Sequence, residues 1–147
     1  MARPDHDTRD DIRPRRPTGD FLVTIEPEPR EVPYVRHALR RRLVAWNLMR
    51  HRKVVELLAS ELLAQVITTA TSKVDVHAHY EADRVRVEIE ADVAPEPLRL
   101  RSVADMARRR SEAILAALSL DHGADMDAGH ERAWFEVDTR RPPWEGH

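Results

Sequence analysis

Glu61 is an ionisable residue in a segment that is otherwise patterned for burial, Ser60-Glu61-Leu62-Leu63-Ala64-Gln65. A carboxylate on an apolar helix can be a catalytic base, because such environments tune acids for proton transfer. The same pattern fits the remnant of a base, or a helix-end charge that reaches water. All three interpretations of Glu61 stay open at this level.

Asp75, His77 and His79 are the second group of residues with types and spacing suited to chemistry. They alternate along one predicted strand, so their side chains project from the same face. Imidazole and carboxylate groups are suitable ligands for zinc or another transition metal. Alternatively, they form the solvent-facing side of a hairpin that buries Val74 and Val76, since the sequence places no fourth ligand. A metal-binding protein is therefore one hypothesis.

The composition limits both the chemistry and the compartment. The 147 residues include no cysteine, which excludes disulfides, thiolate metal sites and a cysteine nucleophile. The formal charge of −2 gives no net attraction to a phosphate backbone, so we expect no direct binding of nucleic acid. No stretch reaches the ~18 consecutive apolar residues of a membrane span, and the N-terminus has no apolar signal segment. We expect a cytoplasmic protein that does not bind membranes.

Hydrophobic periodicity predicts three helices and four strands. Val35, Leu39 and Leu43 recur at helical spacing after Pro33, a residue suited to a first helical turn. The next helix is apolar over a wider arc, which is typical of a central helix. Trp46, Trp134 and Phe135 are expected in the core. The predicted order is strand 21–25, a helix from residue 33, helix 52–70, strands 74–80 and 85–90, helix 102–120 and strand 133–137.

This order predicts an α+β fold, a two-layer sandwich with a mostly antiparallel sheet and helices on one face. One domain is expected, at residues 20–138. Residues 1–19 combine prolines with unpatterned charges and are expected to form a disordered N-terminal tail. Residues 139–147 are expected to form a loose C-terminal tail.

Several short motifs occur at characteristic places in this order: Trp46-Asn47-Leu48, Ser60-Glu61-Leu62, Val87-Glu88-Ile89, His122-Gly123 and Trp134-Phe135-Glu136. Together they resemble the small ATP-binding proteins of anti-sigma-factor type. Those proteins are serine kinases of the gyrase, chaperone and histidine-kinase ATPase (GHKL) superfamily. The resemblance covers residues 21–138 and implies the histidine-kinase-like ATPase fold.

The family's second helix reads Ser-Glu-Leu-x-x-Asn-Ala, and the resemblance implies roles for two residues here. Glu61 matches the acid that acts as catalytic base in an active kinase. Gln65 replaces the asparagine that holds Mg²⁺ beside the phosphates, and lies on the same helix face as Glu61. Glutamine keeps the carbonyl oxygen but adds a methylene and a rotor, which departs from the geometry that octahedral Mg²⁺ requires. Thr69 replaces a histidine four residues later.

The remaining nucleotide-binding positions depart further from the family pattern. The adenine-reading aspartate falls at Ala91, so Asp92 takes that role only through a slip or bulge. Arg109-Arg110-Ser111 replaces a Gly-Arg-Gly whose backbone amides approach the phosphates, and leaves Arg110 as a contact to phosphate oxygens. His130-Glu131-Arg132 replaces Gly-Lys-Thr and puts an acid at the lysine position.

These departures favour a regulatory protein of anti-sigma-factor type with a decayed nucleotide site and no cofactor. Its expected partner is a sigma factor or an anti-anti-sigma (antagonist) domain, and the resemblance also implies a homodimer. The first alternative is an active ATP-dependent serine/threonine kinase of the same family that uses ATP and Mg²⁺. The second is the metal-binding protein that uses Asp75, His77 and His79.

Overall fold

The computed structural model describes residues 19–142, which form three helices and five strands. Short 3-10 turns at Pro29–Glu31, Met49–His51 and Leu98–Leu100 lead into the three helices. Residues 1–18 of the predicted N-terminal tail and 143–147 of the predicted C-terminal tail lie outside the described residues. In chain order the elements are β1 (Gly19–Ile25), α1 (Val32–Ala45), α2 (Arg52–Thr69), β2 (Val74–Glu81), β3 (Arg84–Asp92), α3 (Arg101–Leu118), β4 (Asp121–Asp127) and β5 (His130–Asp138).

The strands form one antiparallel sheet in the order β1-β2-β3-β5-β4. Two-residue turns connect both hairpins. Ala82 and Asp83 have φ of 54° and 63°, and Ala128 and Gly129 have φ of 52° and 78°. Positive φ at both central residues is the type I′ geometry that matches the twist of hairpin strands. These turns fix the register of each hairpin, and so fix which side chains face the helices.

One face of the sheet packs against the helices and forms the core. Alternate residues of the central strands are buried on that face, including Val76, Val87 and Phe135. The helices contribute Leu39 from α1, Leu58 and Leu63 from α2, and Leu115 from α3. The predicted two-layer α+β sandwich with helices on one face is confirmed.

The end of α1 is set by Asn47. Its φ is 63°, and its N–H donates to Val44 O at 2.9 Å while Leu48 N–H donates to Leu43 O at 2.8 Å. These two bonds form a Schellman motif, which satisfies carbonyls that the helix end would otherwise leave unpaired. Buried Leu48 then directs the chain into the turn before α2.

A bidentate ion pair joins α1 to α2. Arg40 Nε and Nη2 donate to the two carboxylate oxygens of Glu56, each at 2.9 Å. The Glu56 side chain is almost completely covered, so the arginine supplies the charge partner that water does not. The pair fixes the position of α2 beside α1. Within residues 19–142, no helix is both long and apolar enough to cross a membrane.

The structure corrects two predictions from the sequence. A strand, β4, lies between α3 and β5, where the pattern predicted none. Trp134, predicted to lie in the core, is half-buried on the outer face of the sheet, the face that the helices do not cover. There the Arg86 guanidinium stacks 4.1 Å from the centre of its ring. Just after β5, Thr139 N–H and Oγ1 each donate a hydrogen bond of 2.9 Å to Asp83 O.

Candidate functional site between α2 and α3

Glu61 and Gln65 meet Ser111 where α2 packs against α3. Ser111 Oγ donates to Glu61 Oε1 at 2.9 Å, and Gln65 Nε2 donates to Ser111 Oγ at 3.2 Å. Arg110 Nη2 lies 3.5 Å from the same Glu61 oxygen. The two helices therefore bring together Glu61, Gln65 and Arg110, three of the four residues assigned to this site from the sequence.

The surroundings of Glu61 are those of a partly desolvated carboxylate. Its side chain is 16% exposed, and Ser111 is buried. Arg110 is an exposed cation on the solvent side of the contact. The Glu61 carboxylate thus has a hydroxyl donor on one side and a guanidinium on the other. The arrangement holds the Glu61 charge in place at the helix contact.

A cavity of about 420 Å³ opens beside these groups. Its polar lining residues are Glu61, Gln65, Thr68, Thr69, Glu96, Arg110 and Ser111. Its walls are mostly apolar and come from both helices and from the segment before α3: Ala64, Pro97, Leu100, Val103, Ala104 and Ala107. An apolar cavity with a few convergent polar groups is the usual form of a binding site.

The positions expected to cradle phosphates lie inside α3. Arg109, Arg110 and Ser111 occupy the middle of an unbroken helix that begins at Arg101 and ends at Leu118. Only the first four N–H groups of a helix are free of intrahelical hydrogen bonds, so the amides of 109–111 are not available to a phosphate. In addition, the buried Ser111 carries a side chain where the family pattern has glycine, which has none. These residues do not fit the triphosphate of a nucleotide.

Asp92 lies on the other side of the sheet from this cavity. The β3–β5 pairing is regular up to Asp92 opposite His130, with no bulge, so Ala91 faces the helices and Asp92 faces outward. Its Oδ1 atom lies 2.9 Å from His130 Nδ1. The slip that would bring an aspartate to the adenine position is absent from this register.

Glu131 is an acid that shares cavities with Gln65. Both residues line a second cavity of about 280 Å³, together with Arg108. Burial raises the pKa of the Glu131 carboxyl, while the charge of Arg108 lowers it and that of Glu96 raises it. A carboxylate here repels an anionic ligand, in contrast to the lysine expected at this position.

No known protein-family model and no curated protein matches this chain. The resemblance to anti-sigma-type ATP-binding proteins therefore rests on the order of the elements and on the motifs quoted above. An α+β sandwich by itself specifies neither a family nor a function.

The histidines of β2 interact with a residue that the sequence did not connect to them. Asp20 Oδ1 on β1 lies 3.0 Å from His77 Nε2 and 2.7 Å from His79 Nδ1, and Glu81 Oε1 lies 3.0 Å from His79 Nε2. Asp75 instead accepts a hydrogen bond of 2.6 Å from Thr24. Across residues 19–142, no group of three His, Cys, Asp or Glu side chains is placed to hold a metal ion.

Asp20 and Ser111 are the site residues whose partners sequence reasoning missed. Asp20 precedes the predicted strand, and its contacts follow from the pairing of β1 with β2. Ser111 was identified only as a departure from a glycine. A small hydroxyl residue among arginines, on a helix next to a buried stripe, is the sequence signal that could have identified this helix contact.

Proposed function

We propose that this protein is a regulatory protein of anti-sigma-factor type that acts by binding a transcription-regulatory protein, with a nucleotide site that has decayed. Three features support the proposal: the α+β sandwich, the motifs that resemble the family, and the altered residues at the phosphate and adenine positions. A protein with this fold that has no phosphate cradle acts through its surface, by binding another protein.

The observation that carries the proposal is the position of Ser111. It lies in mid-helix, where its backbone amide is used within α3, and its hydroxyl bridges Glu61 and Gln65. In a kinase of this family, Glu61 would need free access to a nucleophile, and the residue at 65 to a metal ion. Here both side chains are engaged with α3, so the contact between α2 and α3 is a structural one.

The proposed partner is a sigma factor or a small antagonist domain of anti-anti-sigma type. Both are proteins, and binding them requires shape and charge complementarity rather than a cofactor. The cytoplasm is the compartment where such partners occur. The metal-binding alternative has no comparable support, because no three His, Cys, Asp or Glu side chains of residues 19–142 are placed to hold a metal ion.

Affinity capture from the cytoplasm of the source cells, followed by mass spectrometry and reconstitution of the pair, tests the proposal. We expect a sigma factor or an antagonist domain that binds the purified protein in the absence of nucleotide. Addition of about 1 mM MgATP should change the measured Kd by less than about twofold. Capture of a protein unrelated to transcription, or binding that requires MgATP, would contradict the proposal.

A further inference from the structure

Four large apolar side chains are exposed in nine consecutive residues at the start of α3. We call them the apolar strip: Leu98, Leu100, Val103 and Met106, with exposed fractions of 77%, 45%, 66% and 69%. Single exposed apolar residues are common on protein surfaces, but a contiguous group indicates an interaction site. In contrast, the second half of α3 buries Leu115 against the core.

The apolar strip continues into the 420 Å³ cavity between α2 and α3. Leu100 and Val103 belong to both, and Ala104 and Ala107 extend the apolar wall toward Ser111. These positions recur at intervals of three and four, so they follow one side of α3. From residue 100 to residue 111 the helix axis spans about 16 Å, the length of three turns. The groove is thus long enough to hold about three turns of another helix.

Arginines border the apolar strip. Arg99, Arg101 and Arg109 are exposed, and none of them forms an ion pair with a carboxylate of residues 19–142. Arg108, by comparison, is paired with Glu96 and Asp105 at 2.8 and 2.9 Å. The unpaired cations around an apolar groove are complementary to a partner with carboxylates beside its apolar face.

We propose that the apolar strip and the cavity form a docking groove for an acidic amphipathic helix of a protein partner. The partner's apolar side chains at i, i+3, i+4 and i+7 pack on Leu100, Val103 and Met106, as in helix-in-groove recognition. Its flanking carboxylates pair with Arg99, Arg101 and Arg109. This inference rests on the proposed function for the partner being a protein, and specifies the chemistry of that partner.

The probe is a fluorescein-labelled synthetic peptide of about 18 residues, long enough to form a helix, with leucines at i, i+3, i+4 and i+7 and glutamates at flanking positions. Two matched peptides keep the leucines: one carries lysine for glutamate, and one carries a central proline that breaks the helix. Fluorescence anisotropy at about 0.15 M salt should show that the acidic helix binds at least about tenfold more tightly than either control.

Single substitutions in the apolar strip locate the bound peptide. Val103→Asp and Met106→Asp should each weaken binding of the acidic peptide by about tenfold or more, because they remove apolar area and add repulsion. Leu22→Asp is the matched control, since Leu22 is equally exposed at 64% and lies on β1. It should change the Kd by less than about twofold. Circular dichroism verifies that each variant is folded.

Two triple variants, one test and one control, examine the role of the arginines. The test variant combines Arg99→Glu, Arg101→Glu and Arg109→Glu. It should reverse the preference, so that the lysine peptide binds more tightly than the acidic one. The control changes the net charge equally but on α1 and the turn after it. Its substitutions are Arg36→Glu, Arg41→Glu and Arg50→Glu, all at exposed positions. That control should keep the original preference.

The outcomes separate this inference from the proposed function. The docking groove is contradicted if the acidic peptide binds no better than the lysine peptide, or if Val103→Asp behaves like Leu22→Asp. Binding of the acidic peptide without capture of any transcription regulator would leave the groove supported and overturn the proposed function. Capture of a sigma factor whose binding is unchanged by both Val103→Asp and Met106→Asp would support the proposed function and overturn the docking groove.

Discussion

Ser111 Oγ donates a hydrogen bond of 2.9 Å to Glu61 Oε1, across fifty residues of sequence and between two helices. The acid that resembles a catalytic base is therefore engaged by a side chain at a position where the family has glycine. The same hydroxyl accepts a bond from Gln65. One residue on α3 thus orients both polar residues of α2.

Ser111→Ala should destabilise the protein by about 1–2 kcal/mol, because it leaves Glu61 without its hydroxyl donor and Gln65 Nε2 without its acceptor in a partly buried contact. Ser102→Ala, an exposed position on the same helix, should change stability by less than about 0.5 kcal/mol. Urea denaturation followed by circular dichroism measures both. Equal effects of the two substitutions would show that the contact contributes nothing specific.

Protonation of His51 should lower the free energy of unfolding as the pH falls. It is fully buried, Nε2 donates to Thr139 O at 3.1 Å, and Nδ1 has no partner among the described residues. Burial lowers the pKa of His51, and the charge of Arg50 adds to this. The unfolded chain therefore binds the proton first, so stability decreases as the pH falls below about 6.5.

Substitution of His51 by phenylalanine tests this prediction. The variant loses the bond to Thr139 and should be about 1 kcal/mol less stable at about pH 8. Its loss of stability between about pH 7 and pH 5 should be smaller than that of the unchanged protein. Denaturation midpoints at several pH values measure the difference, and an identical pH dependence would contradict a neutral buried His51.

His79 should instead contribute most to stability at low pH. Hydrogen bonds to Glu81 and Asp20 raise the pKa of His79, and those to His79 and His77 lower the pKa of Asp20. The contribution of His79 is thus complete below the unfolded pKa of about 6.5 and is lost as the pH rises through the folded value. The stabilising contribution of Asp20 is present above its unfolded pKa of about 3.8.

His79→Gln should therefore destabilise the protein more at about pH 5.5 than at about pH 8.5. Because the side chains of His79 and Asp20 are accessible to solvent, the effect on stability should be small and should decrease with added salt. His37→Gln, at an exposed position on α1, is the matched control. NMR titration of the imidazole signals gives the pKa directly, and a value for His79 below 6.5 would refute the expectation.

Local patterns were sufficient for most of the fold. The periodicities of α1, α2, β2 and β3 predicted these elements because each has one clearly buried face. β4 was missed because Asp121-His122-Gly123-Ala124-Asp125-Met126-Asp127 is rich in residues that disfavour strands. It is held as an edge strand by its hairpin with β5, which is a tertiary effect.

Trp134 illustrates a different error. Ala133, Trp134 and Phe135 are consecutive in a strand, so Trp134 and Phe135 cannot face the same side. Phe135 is completely buried, which places Trp134 on the outer face beneath Arg86. Gly123 lies opposite it on β4, and a Cβ atom there would come within 3.0 Å of the indole. The prediction that both residues are buried used only their aromatic character. The alternation of side chains along a strand shows that only one of the two can face the core.

The site itself could be predicted only in part. The spacing of Glu61 and Gln65 put them on one helix face, but the contact with Ser111 depends on how α3 crosses α2. Likewise, Asp92 faces outward because β3 runs without a bulge, which the sequence alone did not determine. Such features follow from tertiary packing rather than from local preference.

Isothermal calorimetry with MgATP tests the central claim most directly. Because the amides of 109–111 lie within α3 and Ser111 is hydrogen-bonded to Glu61 and Gln65, we predict no saturable binding at nucleotide concentrations up to about 1 mM. The same titration of Glu61→Ala should give the same result. A Kd in the micromolar range that is lost in Glu61→Ala would contradict the claim and favour an active kinase.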